Sequence, residues 1–310
     1  MKIVIVGPGA IGCLYAAFLT KKKQAEVWLV DKNPQRAKKI TESGVKISGV
    51  GGDFVVKVNC TNRVEDIKAC DLVIIAVKSY DTEAAVKSIE PLLDTSTNVL
   101  TLQNGLGNIE TISEIVGRDR VFGGVTSLAA TLTGQGEVYY AGKGETVVGR
   151  MDKKLTVSMR SIREVFNKAG FLTRLSKDIN SLIWSKLIIN VGINAQTAII
   201  RLYNGNLVEF PGTREILSMA VSEAVRVAKK KRIKLVYDDP IQKVESVCRS
   251  TSKNVSSMLQ DVLNKKKTEI DYINGAIVRQ AKNYGLMTPA NEMLTNLVKT
   301  IELTYESQVK

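Results

Sequence analysis

The chain opens with the run Lys2-Ile3-Val4-Ile5-Val6-Gly7-Pro8-Gly9-Ala10-Ile11-Gly12. Its β-branched residues are typical of a strand, and they lead directly into the spacing Gly-x-Gly-x-x-Gly and then a helix-forming segment. In that context the first glycine permits a tight turn, the second lets a pyrophosphate approach the backbone, and the third allows helix and sheet to pack closely. The helix N-terminus adds amide donors and positive partial charge. We therefore expect six loop residues to bind a dinucleotide: Gly7, Pro8, Gly9, Ala10, Ile11 and Gly12.

The choice of dinucleotide depends on the end of the second predicted strand. This strand, 26–30, ends at Asp31, nineteen residues after Gly12. A carboxylate at that spacing bonds the ribose 2'-hydroxyl of NADH and repels the 2'-phosphate of NADPH. Lys32 and Arg36 follow closely enough to neutralise a phosphate, and the alternative role for Asp31 is to cap the turn at Asn33. Our hypothesis is that NADH is used well, with Asp31 and Lys32 among the cofactor-binding residues.

The first part of the chain alternates strand and helix patterns. Beyond the opening unit they predict strands at 71–77, 98–103 and 171–175 and helices at 82–93, 109–116 and 155–169. Segments 136–140 and 145–149 are predicted to form an antiparallel pair at an edge of the sheet. After the strand at 171–175, the pattern is almost wholly helical to the end of the sequence. We expect a Rossmann-type doubly wound α/β sheet with added antiparallel edge strands over 1–176, a dinucleotide-binding domain, and an all-helical substrate and catalytic domain over 177–310.

One helical segment, 184–194, carries polar residues every fourth position in otherwise apolar sequence. The spacing places Lys186, Asn190 and Asn194 on one helix face. Removing an ammonium from water costs several kcal/mol unless it is paired, and a lowered pKa is the usual response. Lys186 is therefore a candidate catalytic acid. The alternative is a lysine whose stem packs while its ammonium reaches solvent.

Composition excludes several classes of protein. The sequence has no histidine, so Ser-His-Asp hydrolysis, His-ligated zinc catalysis and a His-Asp acid pair are ruled out. Its four cysteines form no close pair, which indicates neither a disulfide framework nor a metal site, and Cys13 is expected to serve as a small packing residue. No membrane span or signal peptide is predicted, and we expect a cytoplasmic protein, as a monomer or a homodimer.

The formal net charge of +13 raises the question of a nucleic-acid partner. The lysine runs at 21–23, 229–231 and 265–267 fall at predicted helix ends, and aromatic residues make up only 5% of the chain. Because no stacking pattern or DNA-binding motif accompanies the runs, we expect no nucleic-acid partner. The positive charge is better explained by attraction of an anionic cofactor and substrate.

Polar residues at strand ends and in the helical part are further candidates. Lys78 and Asn104 follow predicted strands at the edge where parallel sheets bind ligands, although a solvated lysine and a turn asparagine are the alternatives. Segment 268–275 is predicted to be a helix. Glu269 borders its apolar stripe and could pair with Lys186; the alternative is a surface acid in a first helical turn. For Ser257 the alternative is a helix-cap serine.

The whole chain resembles the ketopantoate reductases (2-dehydropantoate 2-reductases). The resemblance rests on the glycine loop, Ala76-Val77-Lys78, Gln103-Asn104-Gly105-Leu106-Gly107, the Lys186 helix, and the segments 256–261 and 268–275. It implies NADPH- or NADH-dependent reduction of 2-dehydropantoate to (R)-pantoate in pantothenate and coenzyme A synthesis, with Lys186 as proton donor assisted by Glu269. It also implies substrate contacts from Asn104, Lys186, Asn190, Asn194, Asn204, Asn254 and Ser257, and cofactor contacts from Lys78, Asn104, Ala130 and Glu269.

Asp31 departs from this pattern, because many relatives that prefer NADPH have a basic residue there. Two alternatives to the implied function stay open. One is a reductase of another branched 2-keto acid, and the other is a regulator that binds NAD(P)H without turnover.

Overall fold

In the computed structural model, which describes residues 1–308, the chain divides into two compact units. Unit 1 comprises Met1–Gln103 and Asn108–Ile179, and unit 2 comprises Asn104–Gly107 and the chain from Asn180 onward. Each unit has its own apolar core.

The strands all lie in unit 1 among the described residues. They are β1 (Lys2–Val6), β2 (Glu26–Val30), β3 (Val45–Gly49), β4 (Phe54–Val56), β5 (Asn59–Thr61), β6 (Leu72–Ile75), β7 (Asn98–Thr101), β8 (Val121–Thr126), β9 (Ala129–Gly134), β10 (Glu137–Gly142), β11 (Thr146–Gly149) and β12 (Thr173–Ser176).

Helices of both units complete the fold. They are α1 (Ala10–Lys21), α2 (Pro34–Ser43), α3 (Thr82–Ser88), α4 (Asn108–Val116), α5 (Val157–Ala169), α6 (Ile179–Ile200), α7 (Pro211–Lys230), α8 (Pro240–Ser250), α9 (Ser257–Leu263), α10 (Asn274–Lys282) and α11 (Pro289–Leu303). Short 3-10 turns lie between several of them, including Ser79–Asp81 and Ile270–Tyr272.

The main sheet has eight strands in the order β12-β11-β8-β7-β6-β1-β2-β5. All neighbours are parallel except β8 and β11, which run antiparallel. Because β1 lies between β2 and β6, the strand order reverses at β1, and the carboxyl ends of these three strands form the crevice where doubly wound sheets bind ligands. The predicted Rossmann-type α/β fold with an antiparallel addition is confirmed.

A second sheet of four strands, ordered β4-β3-β10-β9, was not predicted. The predicted pairing of 136–140 with 145–149 is wrong, because β10 pairs with β3 and β9 while β11 pairs with β8 and β12. Burial explains the separation: β10 alternates exposed and buried residues, as on a one-sided sheet, whereas all four residues of β11 are buried on both faces of the main sheet.

Unit 2 is helical in the described part of the chain. The predicted helix over 268–275 is interrupted: a 3-10 turn covers Ile270–Tyr272, Ile273 leaves helical geometry, and α10 begins at Asn274. Side-chain hydrogen bonds help to hold the segment in this shape, since Thr268 Oγ1 accepts the Ile270 N–H and Asn274 Nδ2 donates to the Val191 carbonyl in α6. Within residues 1–308, no helix has both the length and the apolar character needed to span a bilayer.

Candidate functional site

The glycine loop of unit 1 joins β1 to α1 and lies at the carboxyl end of β1. The Gly7 N–H donates to the Val30 carbonyl at 3.0 Å, which ties the loop to β2. Gly7 has φ +100° and lies against Val77, and a Cβ at Gly12 would collide with the Gly7 carbonyl oxygen. These two glycines are therefore required by the packing of the protein itself.

Gly9 differs from its two neighbours in the motif. Among the described residues, a Cβ added there would meet only the Ala76 carbonyl oxygen, at 3.9 Å, so no steric contact in this part of the chain requires glycine. The position is also the N-cap of α1, whose first-turn N–H groups face outward from the helix end. The open backbone at Gly9 beside a helix N-terminus fits the close approach of a pyrophosphate.

The carboxylate of Asp31 follows β2 and is buried, with 2% of the residue exposed. Arg36 donates two hydrogen bonds to this carboxylate, and the bond from Nη2 to Oδ1 measures 2.7 Å. The Asn33 N–H donates to the same Oδ1 at 3.0 Å. Next to this pair, Lys32 Nζ bonds Asp81 at 3.1 Å. The two basic residues are thus each neutralised by a carboxylate of this cluster.

Other sequence-predicted residues of unit 1 lie at strand ends and in the small sheet. Lys78 lies three residues after the end of β6 and immediately before the turn Ser79–Asp81, and Ala130 lies in β9 opposite Tyr140. Gln103, which sequence reasoning left without a role, donates from Nε2 to the Val77 carbonyl and to Thr82 Oγ1, both at 2.8 Å. It joins the carboxyl ends of β6 and β7.

Lys186 lies on α6, the longest helix of unit 2 in the described chain. Its apolar neighbours are almost fully covered, with Trp184 2%, Leu187 1% and Ile188 0% exposed. Burial of the ammonium lowers the pKa of Lys186 from 10.5 to about 8, against the opposing charge of Glu269, which raises it. The lysine can therefore hold a proton at neutral pH and release it with little penalty.

Glu269 is a buried carboxylate, 6% exposed, and not the surface acid of the alternative interpretation. It precedes the 3-10 turn Ile270–Tyr272, and its carbonyl accepts the Tyr272 N–H at 2.9 Å. The charge of Glu269 acts on that of Lys186, so these two residues form the charged pair that the sequence suggested.

The asparagines of α6 share the face of the lysine, with Asn190 half-buried and Asn194 buried. Asn204 follows α6 and is 8% exposed, and its Nδ2 donates to Thr251 Oγ1 at 3.0 Å. Its Oδ1 is a buried acceptor that has no hydrogen-bond partner among residues 1–308. The Asn204 N–H donates to the carbonyl of Asn254, which is an exposed residue. Asn204 thus ties the end of α6 to the loop before α9.

Ser257 is the exposed first residue of α9, and its neighbour Ser256 is the cap. Ser256 Oγ accepts the Leu259 N–H at 3.1 Å and bonds Thr197 Oγ1 of α6 at 2.7 Å. Sequence reasoning missed this buried hydroxyl pair. Because Ser256 and Ser257 are adjacent, the sequence did not indicate which of them caps the helix. Thr197 lies about one turn beyond Asn194 on the polar face of α6, which was a signal for this pair.

Asn104 belongs by its contacts to unit 2, although the residues before and after its segment belong to unit 1. Leu106 in the same segment packs against the helical core, and its N–H donates to the Tyr272 carbonyl at 3.0 Å. The segment therefore places Asn104 beside the turn that follows Glu269.

Comparison with known proteins agrees with this geometry. The family model described as "Ketopantoate reductase PanE/ApbA" matches residues 3–153, and "Ketopantoate reductase PanE/ApbA C terminal" matches residues 178–302. The 2-dehydropantoate 2-reductase of Aquifex aeolicus is 34% identical, covering 98% of this chain and 97% of the relative.

Solved structures show the same fold. A PanE/ApbA family ketopantoate reductase from Ralstonia eutropha JMP134 superposes with a TM-score of 0.91 and 32% identity, covering 99% of this chain and 100% of that one. D-mandelate dehydrogenase with NADH and anilino(oxo)acetate also reaches a TM-score of 0.91, with 28% identity over 99% of this chain and 100% of that one. With family models over both parts of the chain and a relative above 30% identity along almost all of it, the chain belongs to the ketopantoate reductase family.

Proposed function

We propose that this chain reduces 2-dehydropantoate to (R)-pantoate with a reduced nicotinamide dinucleotide, a cytoplasmic step of pantothenate and coenzyme A synthesis. The observation that carries the proposal is the half-buried Lys186 on α6, whose ammonium lies in surroundings that lower its pKa and interacts with the buried carboxylate of Glu269, in a chain of this family. The cysteines are free buried thiols, which supports a reducing compartment.

In this proposal Lys186 is the general acid. When bound, the reduced nicotinamide supplies the hydride that adds to C2 of the keto acid. Negative charge develops on the ketone oxygen, and Lys186 Nζ transfers a proton to it, so that the C–O double bond becomes a C–OH group. A pKa of about 8 matches this task at neutral pH, because the lysine is mostly protonated before the transfer. Glu269 favours the protonated form and orients the ammonium.

The remaining site residues are proposed to bind and orient. Residues 1–176 hold the dinucleotide through the glycine loop, Asp31, Lys32, Lys78 and Ala130, and residues 177–310 hold the keto acid. Asn104 and Glu269 serve both ligands. The substrate contacts are Asn104, Asn190, Asn194, Asn204, Asn254 and Ser257, and the buried acceptor Asn204 Oδ1 suits a substrate hydroxyl.

For the cofactor, we propose that NADH is used well. Asp31 is the residue that would bond the ribose 2'-hydroxyl, and Arg36 and Lys32 are each paired with an acid, so a 2'-phosphate would gain little unpaired positive charge. The solved D-mandelate dehydrogenase complex, with its NADH, supports this choice by similarity.

Direct binding tests the cofactor proposal without turnover. Nicotinamide fluorescence titrations are expected to give a Kd for NADH no weaker than that for NADPH. Asp31→Asn is expected to weaken NADH by about tenfold, the value of one charged hydrogen bond, and to strengthen NADPH. Asp81→Asn removes one negative charge of the same cluster and is the matched control, expected to leave NADH binding unchanged. A strong preference of the unmodified protein for NADPH contradicts the proposal.

The function itself is tested by nicotinamide oxidation with 2-dehydropantoate and a panel of other 2-keto acids. Turnover confined to 2-dehydropantoate supports the proposal. The similarity to D-mandelate dehydrogenase favours a second candidate, reduction of another branched or aryl 2-keto acid, which a higher kcat/KM on such a substrate supports. Tight dinucleotide binding with no turnover on any keto acid supports the non-catalytic regulator instead.

A further inference from the structure

The segment Asn104–Gly107 is held to the rest of unit 2 by a close approach between Gly105 and the backbone of Tyr272. Gly105 has φ +85°, and a Cβ added there would lie 2.5 Å from the Tyr272 carbonyl oxygen and 2.7 Å from Tyr272 Cβ. The next residue, Leu106, donates its N–H to the same carbonyl at 3.0 Å. Only glycine allows this approach, because any side chain would push the segment off Tyr272.

Gly107 provides an internal comparison. It has φ +100°, which disfavours other residues to a similar degree, yet a Cβ there would meet no atom of the described chain within 4 Å. The two glycines therefore share a backbone requirement and differ in steric contact.

Tyr272 belongs to a turn that is fixed on both sides. The turn starts after Glu269, whose carbonyl accepts the N–H groups of Tyr272 and Ile273 at 2.9 and 3.1 Å. Before it, Thr268 donates its N–H to Glu302 of α11 at 2.7 Å. A displacement of Tyr272 is thus transmitted to the backbone of Glu269.

We propose that the contact of Gly105 and Leu106 with Tyr272, here termed the clasp, is a positioning device that holds Asn104 and Glu269 in the fixed relation that the Lys186 site requires. This inference rests on the proposed function. The clasp residues touch no reacting atom in this proposal; they act through Asn104 and Glu269.

The test compares Gly105→Ala with Gly107→Ala in the full chain. Gly105→Ala is expected to lower kcat/KM for 2-dehydropantoate by about tenfold to a hundredfold, the range that follows from a misplacement of about 1 Å. Gly107→Ala is expected to stay within about threefold of the unmodified protein, since the added methyl group meets no described atom within 4 Å and leaves Leu106 in place against Tyr272.

The pH dependence separates positioning from a general loss of structure. Because Glu269 raises the pKa of Lys186, a displaced Glu269 lets that pKa fall, and the decline of kcat/KM at high pH moves to lower pH in Gly105→Ala only. Thermal melts of both variants establish that they are folded. If Gly105→Ala does not fold, Leu106→Ala takes its place, because it removes the apolar anchor without adding a clash, and the same shift is expected.

Three results decide the matter. A Gly105→Ala variant with unmodified kcat/KM and pH profile overturns the clasp, and so does an equal loss in Gly107→Ala; in both cases the activity of the unmodified protein still supports the proposed function. An unmodified protein that reduces no 2-keto acid refutes the proposed function instead.

Discussion

Replacing Lys186 with methionine is expected to stabilise the protein and to inactivate it. Methionine keeps the length and flexibility of the lysine stem and removes the ammonium. A depression of the pKa from 10.5 to about 8 means that the folded state holds the protonated lysine at a cost of about 3 kcal/mol at neutral pH. This is a net cost that already includes the attraction of Glu269, and burial of that carboxylate without the Lys186 ammonium offsets part of the gain, which leaves about 1–3 kcal/mol.

The sign of the pH dependence follows from linkage. Between pH 8 and 10.5 the unfolded chain binds more protons at this residue than the folded chain, so the stability of the unmodified protein rises with pH in that window. The advantage of Lys186→Met is therefore largest below pH 8. It falls to about half near pH 9.5 and disappears above the unfolded pKa.

Urea unfolding at pH 7 and pH 9.5 measures both quantities. Lys243→Met on α8 is the matched control, because Lys243 is exposed and its replacement is expected to change stability by less than about 0.5 kcal/mol at either pH. In the same preparations, kcat of Lys186→Met should fall by about 10²–10⁴, the range for losing a general acid, while the dinucleotide Kd is unchanged. A variant that is less stable than the unmodified protein at pH 7, or that keeps its kcat, would refute the reasoning.

Three further predictions concern neighbouring parts of the fold. Glu269→Gln should move the high-pH decline of kcat/KM to lower pH, because Lys186, the proposed general acid, loses the group that raises its pKa; a shift upward contradicts this. Gly12→Ala should cost about 1–3 kcal/mol in urea unfolding because of its clash, whereas Gly9→Ala should keep its stability and lose dinucleotide affinity in fluorescence titrations. Gly192→Ala should cost about 1–3 kcal/mol, while Gly212→Ala, with open space at its Cβ, should lie within about 0.5 kcal/mol; equal losses contradict the packing argument.

The parts of the fold that could be predicted are those encoded locally. The strand, glycine loop and α1 lie within about twenty residues of one another, and the four-residue spacing of Lys186 and the asparagines is a property of a single helix. The small sheet is different, since β10 pairs in parallel with β3, some ninety residues earlier in the chain. Nothing near either strand specifies that partner. The alternation in β10 and its absence in β11 were the one available signal that these strands belong to different sheets.

The candidate site was predictable in its residue types more than in its contacts. Asp31 was identified from spacing, but its two bonds from Arg36 depend on the first turn of α2 folding back over the carboxylate. Glu269 was expected on a helix, and it lies instead beside a turn set by Thr268 and Asn274. Side-chain hydrogen bonds to backbone decide such short segments, and their partners come from α6 and α11, which hydrophobic periodicity does not reveal.

The position of Lys186 has a physical reason in the packing of α6. A catalytic group that is off by about 1 Å can lose about a hundredfold in rate, so the element that carries it must be fixed. Gly192 lies six residues along α6, about 9 Å away, and a Cβ there would come within 2.9 Å of both Val221 in α7 and Val244 in α8. Because a larger residue at Gly192 would push α6 away from α7 and α8, and other apolar residues of α6 lie in the same buried core, this close packing helps to fix the helix that carries Lys186.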